Sequence, residues 1–103
     1  MTPLIVRECN GRVAWLAHTT RADGDLSPSN VASDELLKRR RALIAHPWRA
    51  VRQVHSDRVV DVTHSEPVGD IADALITDES NLVLAVHSAD CAPVGFISDG
   101  GAV

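Results

Sequence analysis

Leu82-Val83-Leu84-Ala85-Val86 is an unbroken aliphatic run, and it constrains this chain more than any other feature. Five apolar residues are too few for a helix of ordinary length, and they lack the alternation of a strand with one wet face. The run therefore reads as a strand that needs cover on both faces. One helix pattern is available, over residues 34–44. Ser33 is placed to cap it, Asp34 and Glu35 open its first turn, and Lys38-Arg39-Arg40-Arg41 comes later, as the helix dipole favours. Leu36, Leu37, Ala42, Leu43 and Ile44 supply its apolar side. His46-Pro47 ends it, because the residue before a proline avoids helical backbone.

The remaining elements are short and strand-like. Residues 5–6 and 13–17 read as strands joined at Asn10-Gly11, a strong hairpin signal because both residues tolerate positive φ. Residues 18–30, rich in Gly, Asp, Ser and Pro, are loop chemistry. Residues 50–54 and 59–62 are expected to form a second hairpin, with His55-Ser56-Asp57-Arg58 at its bend. Residues 73–77 read as a short strand or ordered loop and 93–97 as a strand, while Asp99-Gly100 reads as a turn that opens another. One helix among many strands gives the α+β class, with a strand-rich mixed sheet.

Composition removes several kinds of partner. A chain of 103 residues holds one small domain of marginal stability, and 45% hydrophobic with 23% charged residues is ordinary for a globular protein. A formal charge of -4 and a pI near 5.6 exclude a general positive field for nucleic acid. The basic run at 38–41 reads as the solvated face of the helix. Nothing approaches the roughly 20 consecutive apolar residues of a membrane span. The apolar start at residues 1–6 is interrupted at once by Arg7-Glu8, so a secretory signal is not expected. Cys9 and Cys91 are too sparse for a disulfide framework, and a reduced cytoplasmic setting is the expectation.

Four residues stand out chemically: His55, His87, Asp90 and Cys91. Histidine and cysteine bind zinc, and they equally make a nucleophile and its base. Spacing does not choose, since there is no C-x-x-C or H-E-x-x-H pair. A cysteine between Ala89-Asp90 and Ala92-Pro93 also fits a small buried core residue. His18, His46 and His64 lie in polar contexts and read as surface residues. Arg21 has the guanidinium to meet a phosphate bidentately, or is an ordinary surface arginine.

Longer motifs add to this reading. Residues 51–60 (VRQVHSDRVV) resemble a Q-V-H-G-x-x-V segment, and 71–78 (IADALITD) an A-D-A-L-V-T segment. The run from Leu82 into Ala89-Asp90-Cys91-Ala92-Pro93-Val94 resembles L-A-V-x-x-A-D-C-x-P-V. Upstream, Thr19-Thr20-Arg21 with Gly24 and Ser27 is similar to a T-T-R-x-G-G-V-S loop, here one residue longer. In that order, these segments resemble those of the YfiH-like purine nucleoside phosphorylases, the laccase-domain proteins.

The resemblance implies a zinc ion held by His55, Cys91 and a second histidine in an H-A-G-W-R-G segment that lies beyond Val103. Residues 1–103 would then be the incomplete N-terminal portion of a larger domain, expected to be inactive alone. It also implies phosphorolysis of purine nucleosides, with phosphate as co-substrate, and adenosine deamination as a side activity. Arg21, Gln53 and Asp90 become the residues placed to meet substrate or to steady a ligand. Copper is less favoured than zinc, because no multicopper histidine pattern is present. The rival readings are a non-catalytic remnant or interaction module, a cysteine hydrolase using Cys91 and His55, and a copper oxidoreductase.

Overall fold

The structure, a computed structural model, describes residues 1–63, 71–89, 91–99 and 101–102. His64 and Asp90, both singled out above, lie outside the described residues. Two compact units are present, Met1–His46 and Pro47–Val103.

The first unit begins with the expected hairpin, longer than the sequence indicated. Strands β1 (Thr2–Cys9) and β2 (Arg12–His18) pair antiparallel from Thr2 opposite His18 to Cys9 opposite Arg12, with an irregularity between Pro3 and Ile5. Asn10 and Gly11 turn the chain with φ of 51° and 76°, the paired left-handed geometry that matches the twist of two strands. Inside the loop that follows, residues Arg21–Asp23 make one 3₁₀ turn. The Thr20 amide donates to Asp23 Oδ2 at 2.8 Å, and the Met1 ammonium lies 3.3 Å from Asp23 Oδ1. These contacts, the Thr20 amide foremost, hold the Asp23 carboxyl below its ordinary range.

Helix α1 (Ser33–Leu43) starts one residue earlier than expected, at the serine expected to cap it. Ala32 is the N-cap, its carbonyl accepting from the Leu36 amide at 2.8 Å, and Ser33 lies inside the first turn. The Asp34 carboxylate accepts from the Glu35 amide at 2.9 Å, satisfying one of the amides that every helix start leaves open. The basic run is not a uniformly solvated face. Arg39 reaches Glu35 at 3.2 Å and donates to the Asp25 carbonyl at 2.7 Å, while Arg40 is half-buried and its pKa is lowered by that burial. The reason is register: Leu36 is the buried residue of the helix, and Arg40 follows it by one turn on the same side.

In the second unit the strands are β3 (Trp48–Arg49), β4 (Val59–Asp61), β5 (Ala74–Ile76), β6 (Val83–Leu84), β7 (Ile97–Ser98) and β8 (Gly101–Ala102). β3 pairs parallel with β6, β4 parallel with β5, and β7 antiparallel with β8. An isolated parallel bridge joins Arg52 to Ile71. The expected second hairpin is therefore absent. Its two halves pair with later segments instead, because residues 54–58 wind around a carboxylate rather than turning back on 50–54.

The aliphatic run at 82–86 forms a strand only at Val83–Leu84, half-buried, and Val86 is exposed. Of 93–97 only Ile97 is in a strand, with Val94 and Phe96 mostly exposed. Among the described residues β6 is hydrogen-bonded to β3 alone. The core of this unit is Val62, Ala72, Leu75 and Thr77. Leu75 and Thr77 share one face by strand alternation, and the Val62 amide donates to the Ile76 carbonyl at 2.9 Å. Buried Thr77 is satisfied by the Thr63 hydroxyl at 3.1 Å and by the Glu79 amide at 3.0 Å. One helix with several small sheets is an α+β architecture, as expected, though the strands form separate two-stranded sheets rather than one mixed sheet. No helix among the described residues is long and apolar enough to cross a membrane.

Candidate functional site

The expected site residues of the second unit lie on two loops, each leaving one short parallel strand. The first loop, 54–58, is organised by Asp73, immediately ahead of β5. The amides of Val54, His55 and Ser56 donate to its carboxylate at 3.1, 2.9 and 2.8 Å, and the Ser56 hydroxyl adds a fourth bond at 2.9 Å. Bonds of this kind favour the charged form of a carboxyl. The Ser56 amide first, and then the Val54 amide, lower the Asp73 pKa to about 2. Two further bonds close the loop onto the same segment: the Asp73 amide donates to the Arg58 carbonyl at 3.1 Å, and Arg58 Nη1 to the Ile71 carbonyl at 3.1 Å. His55 sits at the crest, exposed, with φ of 62°.

The second loop, beyond β6, carries His87 and Cys91. Gln53 ties it to the first. Gln53 Nε2 donates to the His87 carbonyl at 2.7 Å, and the His87 amide donates to Gln53 Oε1 at 2.8 Å. The side-chain amide thus substitutes for a strand neighbour where β3–β6 pairing has run out. The Ser88 hydroxyl donates to the Cys91 carbonyl, and Cys91 is an exposed free thiol. His87 is half-buried.

These placements revise individual roles. Gln53 has both ends of its amide engaged with backbone, so its visible function is to join two loops. Cys91 is not the small buried residue that its apolar neighbours also allowed. His55 occupies a left-handed loop position rather than a hairpin bend. Arg21 belongs to the other unit, exposed in the 3₁₀ turn. Asp73 was missed as a candidate although it lies in the A-D-A segment. A carboxylate between two alanines at a strand start carries no signal until its partners are known.

The donor types fit a borderline metal: an imidazole from His55 and a thiol from Cys91, both reachable from solvent. The number falls short, since no group of three or more His, Cys, Asp or Glu that could hold a metal ion occurs among the described residues. The two residues supply part of a donor set and not the whole.

The second unit, strands and loops alone among its described residues, presents an imidazole and a free thiol on two loops that Gln53 joins. The chain belongs to the family described as multi-copper polyphenol oxidoreductase laccase, whose model matches residues 17–103. It is 43% identical over 53 residues to a purine nucleoside phosphorylase of Rickettsia prowazekii (strain Madrid E). It is 42% identical over 53 residues to one of Rickettsia conorii (strain ATCC VR-613 / Malish 7). Each match covers 52% of this chain and 22% of the relative, so the shared stretch spans about a fifth of those proteins. No solved structure matches the chain.

Proposed function

We propose that this chain is part of a zinc-dependent purine nucleoside phosphorylase that also deaminates adenosine, with His55 and Cys91 as two of the metal's protein ligands. The observation that carries the activity is the 43% identity to a purine nucleoside phosphorylase. The tie from Gln53 to His87 supports the ligand pair, because it fastens the loop of His55 to the loop that leads to Cys91.

In this reading Cys91 binds as a thiolate and His55 as a neutral imidazole, and a third ligand comes from a histidine beyond Val103. When bound, the metal supplies Lewis acidity to the reaction. The chain's own residues hold and orient. Gln53 keeps the two loops in register, Arg21 offers a fork of donors to phosphate, and Asp90 steadies a ligand. An exposed free thiol suits a reducing cytoplasm. Copper is the second reading, favoured by the family's description. Imidazole and thiolate suit copper as well as zinc, so metal analysis decides.

The test uses the intact protein. Its metal is identified by mass spectrometry, and inosine and adenosine are supplied with and without phosphate. Free base and ribose 1-phosphate are expected only with phosphate, and inosine from adenosine without it. Cys91→Ala loses metal and both activities, whereas Cys9→Ala keeps them. A zinc-loaded protein that turns over neither nucleoside would sink the proposal, as would an active Cys91→Ala variant. Residues 1–103 alone, with two ligands at most, are expected to be inactive; turnover by them would show the third ligand to be dispensable.

A further inference from the structure

We infer that Asp73 is the positioning residue of this site: its carboxylate fixes the backbone of residues 54–56 so that His55 is presented as a ready-made ligand. The inference rests on the reading of His55 as a metal ligand and adds to it the group that makes the ligand competent.

His55 has φ of 62°, a left-handed conformation that is unfavourable for a residue other than glycine. Such a residue persists only where its surroundings over-determine it. Here the surroundings are one carboxylate. Three successive amides converge on Asp73, at 3.1, 2.9 and 2.8 Å. Consecutive amides converge only when the backbone alternates between right- and left-handed regions, forming an anion-binding nest. The left-handed residue of this nest is His55 itself. The same anion that gathers the amides therefore sets the direction of the His55 side chain.

Asp73 is itself firmly placed. It directly follows Ala72, fully buried, whose amide donates to the Arg52 carbonyl at 3.1 Å. Its own amide donates to the Arg58 carbonyl, closing the far side of the loop. The carboxylate is thus held from the β5 side and acts on a loop that has no regular structure of its own. Hydroxyl or amide replacements lack the charge and the two acceptor oxygens needed to gather three amides. A backbone so released samples many His55 orientations, and a ligand that must be ordered on binding binds more weakly.

The experiment measures zinc affinity of the intact, metal-stripped protein by chelator competition. On the same metal-free samples, hydrogen exchange at the Val54, His55 and Ser56 amides is followed. Asp73→Asn is expected to weaken zinc by about tenfold or more, the scale on which groups supporting a ligand act. It should also speed exchange at those three amides while the melt stays cooperative. Asp73→Glu, with its carboxylate one methylene further out, falls between wild type and Asp73→Asn. Ser56→Ala removes the hydroxyl's bond to Asp73 and the one it accepts from the Arg58 amide, leaves the three amides in place, and stays within about twofold of wild type, about 0.4 kcal/mol. Should Asp73→Asn not fold, Asp73→Glu carries the test. Wild-type affinity in either Asp73 variant overturns the inference, as does weakened zinc with unchanged amide exchange. His55→Ala and Cys91→Ala serve as references. If both bind zinc like wild type, the metal reading fails and takes this inference with it. If they lose zinc while Asp73→Asn keeps it, only the role of Asp73 is wrong.

Discussion

Replacing Gln53 with alanine removes the reciprocal pair that joins the two loops, and the size of the effect follows from its surroundings. The pair consists of two short bonds, 2.7 and 2.8 Å, between one side chain and the backbone of His87. A protein hydrogen bond contributes about 0.5–1.5 kcal/mol net, and a buried orphaned partner costs more. Gln53 is exposed, so water reaches the groups left behind and the lower half of that range applies. Two bonds then amount to about 1–2 kcal/mol. Freeing the glutamine rotamers returns up to about 1.5 kcal/mol. Global stability should therefore fall by no more than about 2 kcal/mol. The local effect is larger, because the pair holds the His87 backbone itself, past the point where the Ala85 amide donates to the Arg49 carbonyl at 2.9 Å. Urea unfolding of the intact protein reads the first quantity, and hydrogen exchange at the His87 amide reads the second. Gln53→Glu provides a control in the same experiment. Its carboxylate can still accept from the His87 amide but cannot donate to the His87 carbonyl until it is protonated, below about pH 4. Part of the lost protection should then return on acidification. Unchanged protection of the His87 amide in Gln53→Ala would refute the reasoning, since it would show that the side chain is not what holds the loop.

Further outcomes follow from the same geometry. Leu75→Ala, at a site 3% exposed, should cost about 2–5 kcal/mol in urea unfolding. Leu4→Ala, 59% exposed, should stay within about 0.5 kcal/mol, and equal losses would contradict the placement of the core. Gly11→Ala should destabilise the hairpin by about 1 kcal/mol, read in the same way, because φ there is 76°. The Asp73 carboxyl, lowered from 3.8 to about 2, binds its proton less readily in the folded state than in the unfolded one. Its stabilisation is complete above the unfolded value and is lost as pH falls through about 2. An acid titration of Asp73→Asn should show a shallower loss in that window than wild type. With zinc bound, the His55 ring nitrogen and the Cys91 sulfur should lie within roughly 4 Å of each other, since both bonds to the metal are about 2.0–2.3 Å. A metal-bound structure with the two on opposite faces of the sheet would rule out a shared ion.

What the sequence reveals of the fold depends on how local each determinant is. Asn10-Gly11 requires only its own backbone freedom and the β-prone residues beside it, and the hairpin appears where expected. The helix is equally local, and its cap and both its ends move by one position. Ser33 looks like a cap by residue type, but Ala32 takes that place because its carbonyl receives the first helical bond. The second hairpin fails for the opposite reason. Residues 50–54 and 59–62 are β-prone, and nothing local says that each pairs with a later segment in parallel. Parallel partners are chosen by chain crossovers, whose energetics lie outside any short window. The run at 82–86 shows the same limit: its composition marks a strand, but only Val83–Leu84 pairs, and with the distant Trp48–Arg49.

At the site the determinants are less local still. Gln53 meets His87 across 34 positions, and Asp73 meets His55 across 18. Neither pair has a periodicity, and neither residue type advertises a role, so composition singles out neither; the resemblance alone offers Gln53, to meet substrate or to steady a ligand, and does not offer Asp73. The motifs carried the information in another form. The Q-V-H segment is bound by Asp73 to the A-D-A segment, and by Gln53 to the segment that ends in A-D-C. Of the three stretches that define the firm part of the resemblance, the Q-V-H segment thus hydrogen-bonds to each of the other two. That arrangement explains why the motifs extend beyond the two residues expected to touch a metal. Gln53 stands two positions before His55, and Asp73 opens a strand, because a ligand on a loop without regular structure is only as well placed as the groups that hold its backbone. On this view the glutamine and the aspartate support the proposed ligands rather than join them. A variant lacking both Gln53 and Asp73 should still bind zinc through His55 and Cys91, but more weakly than either single variant.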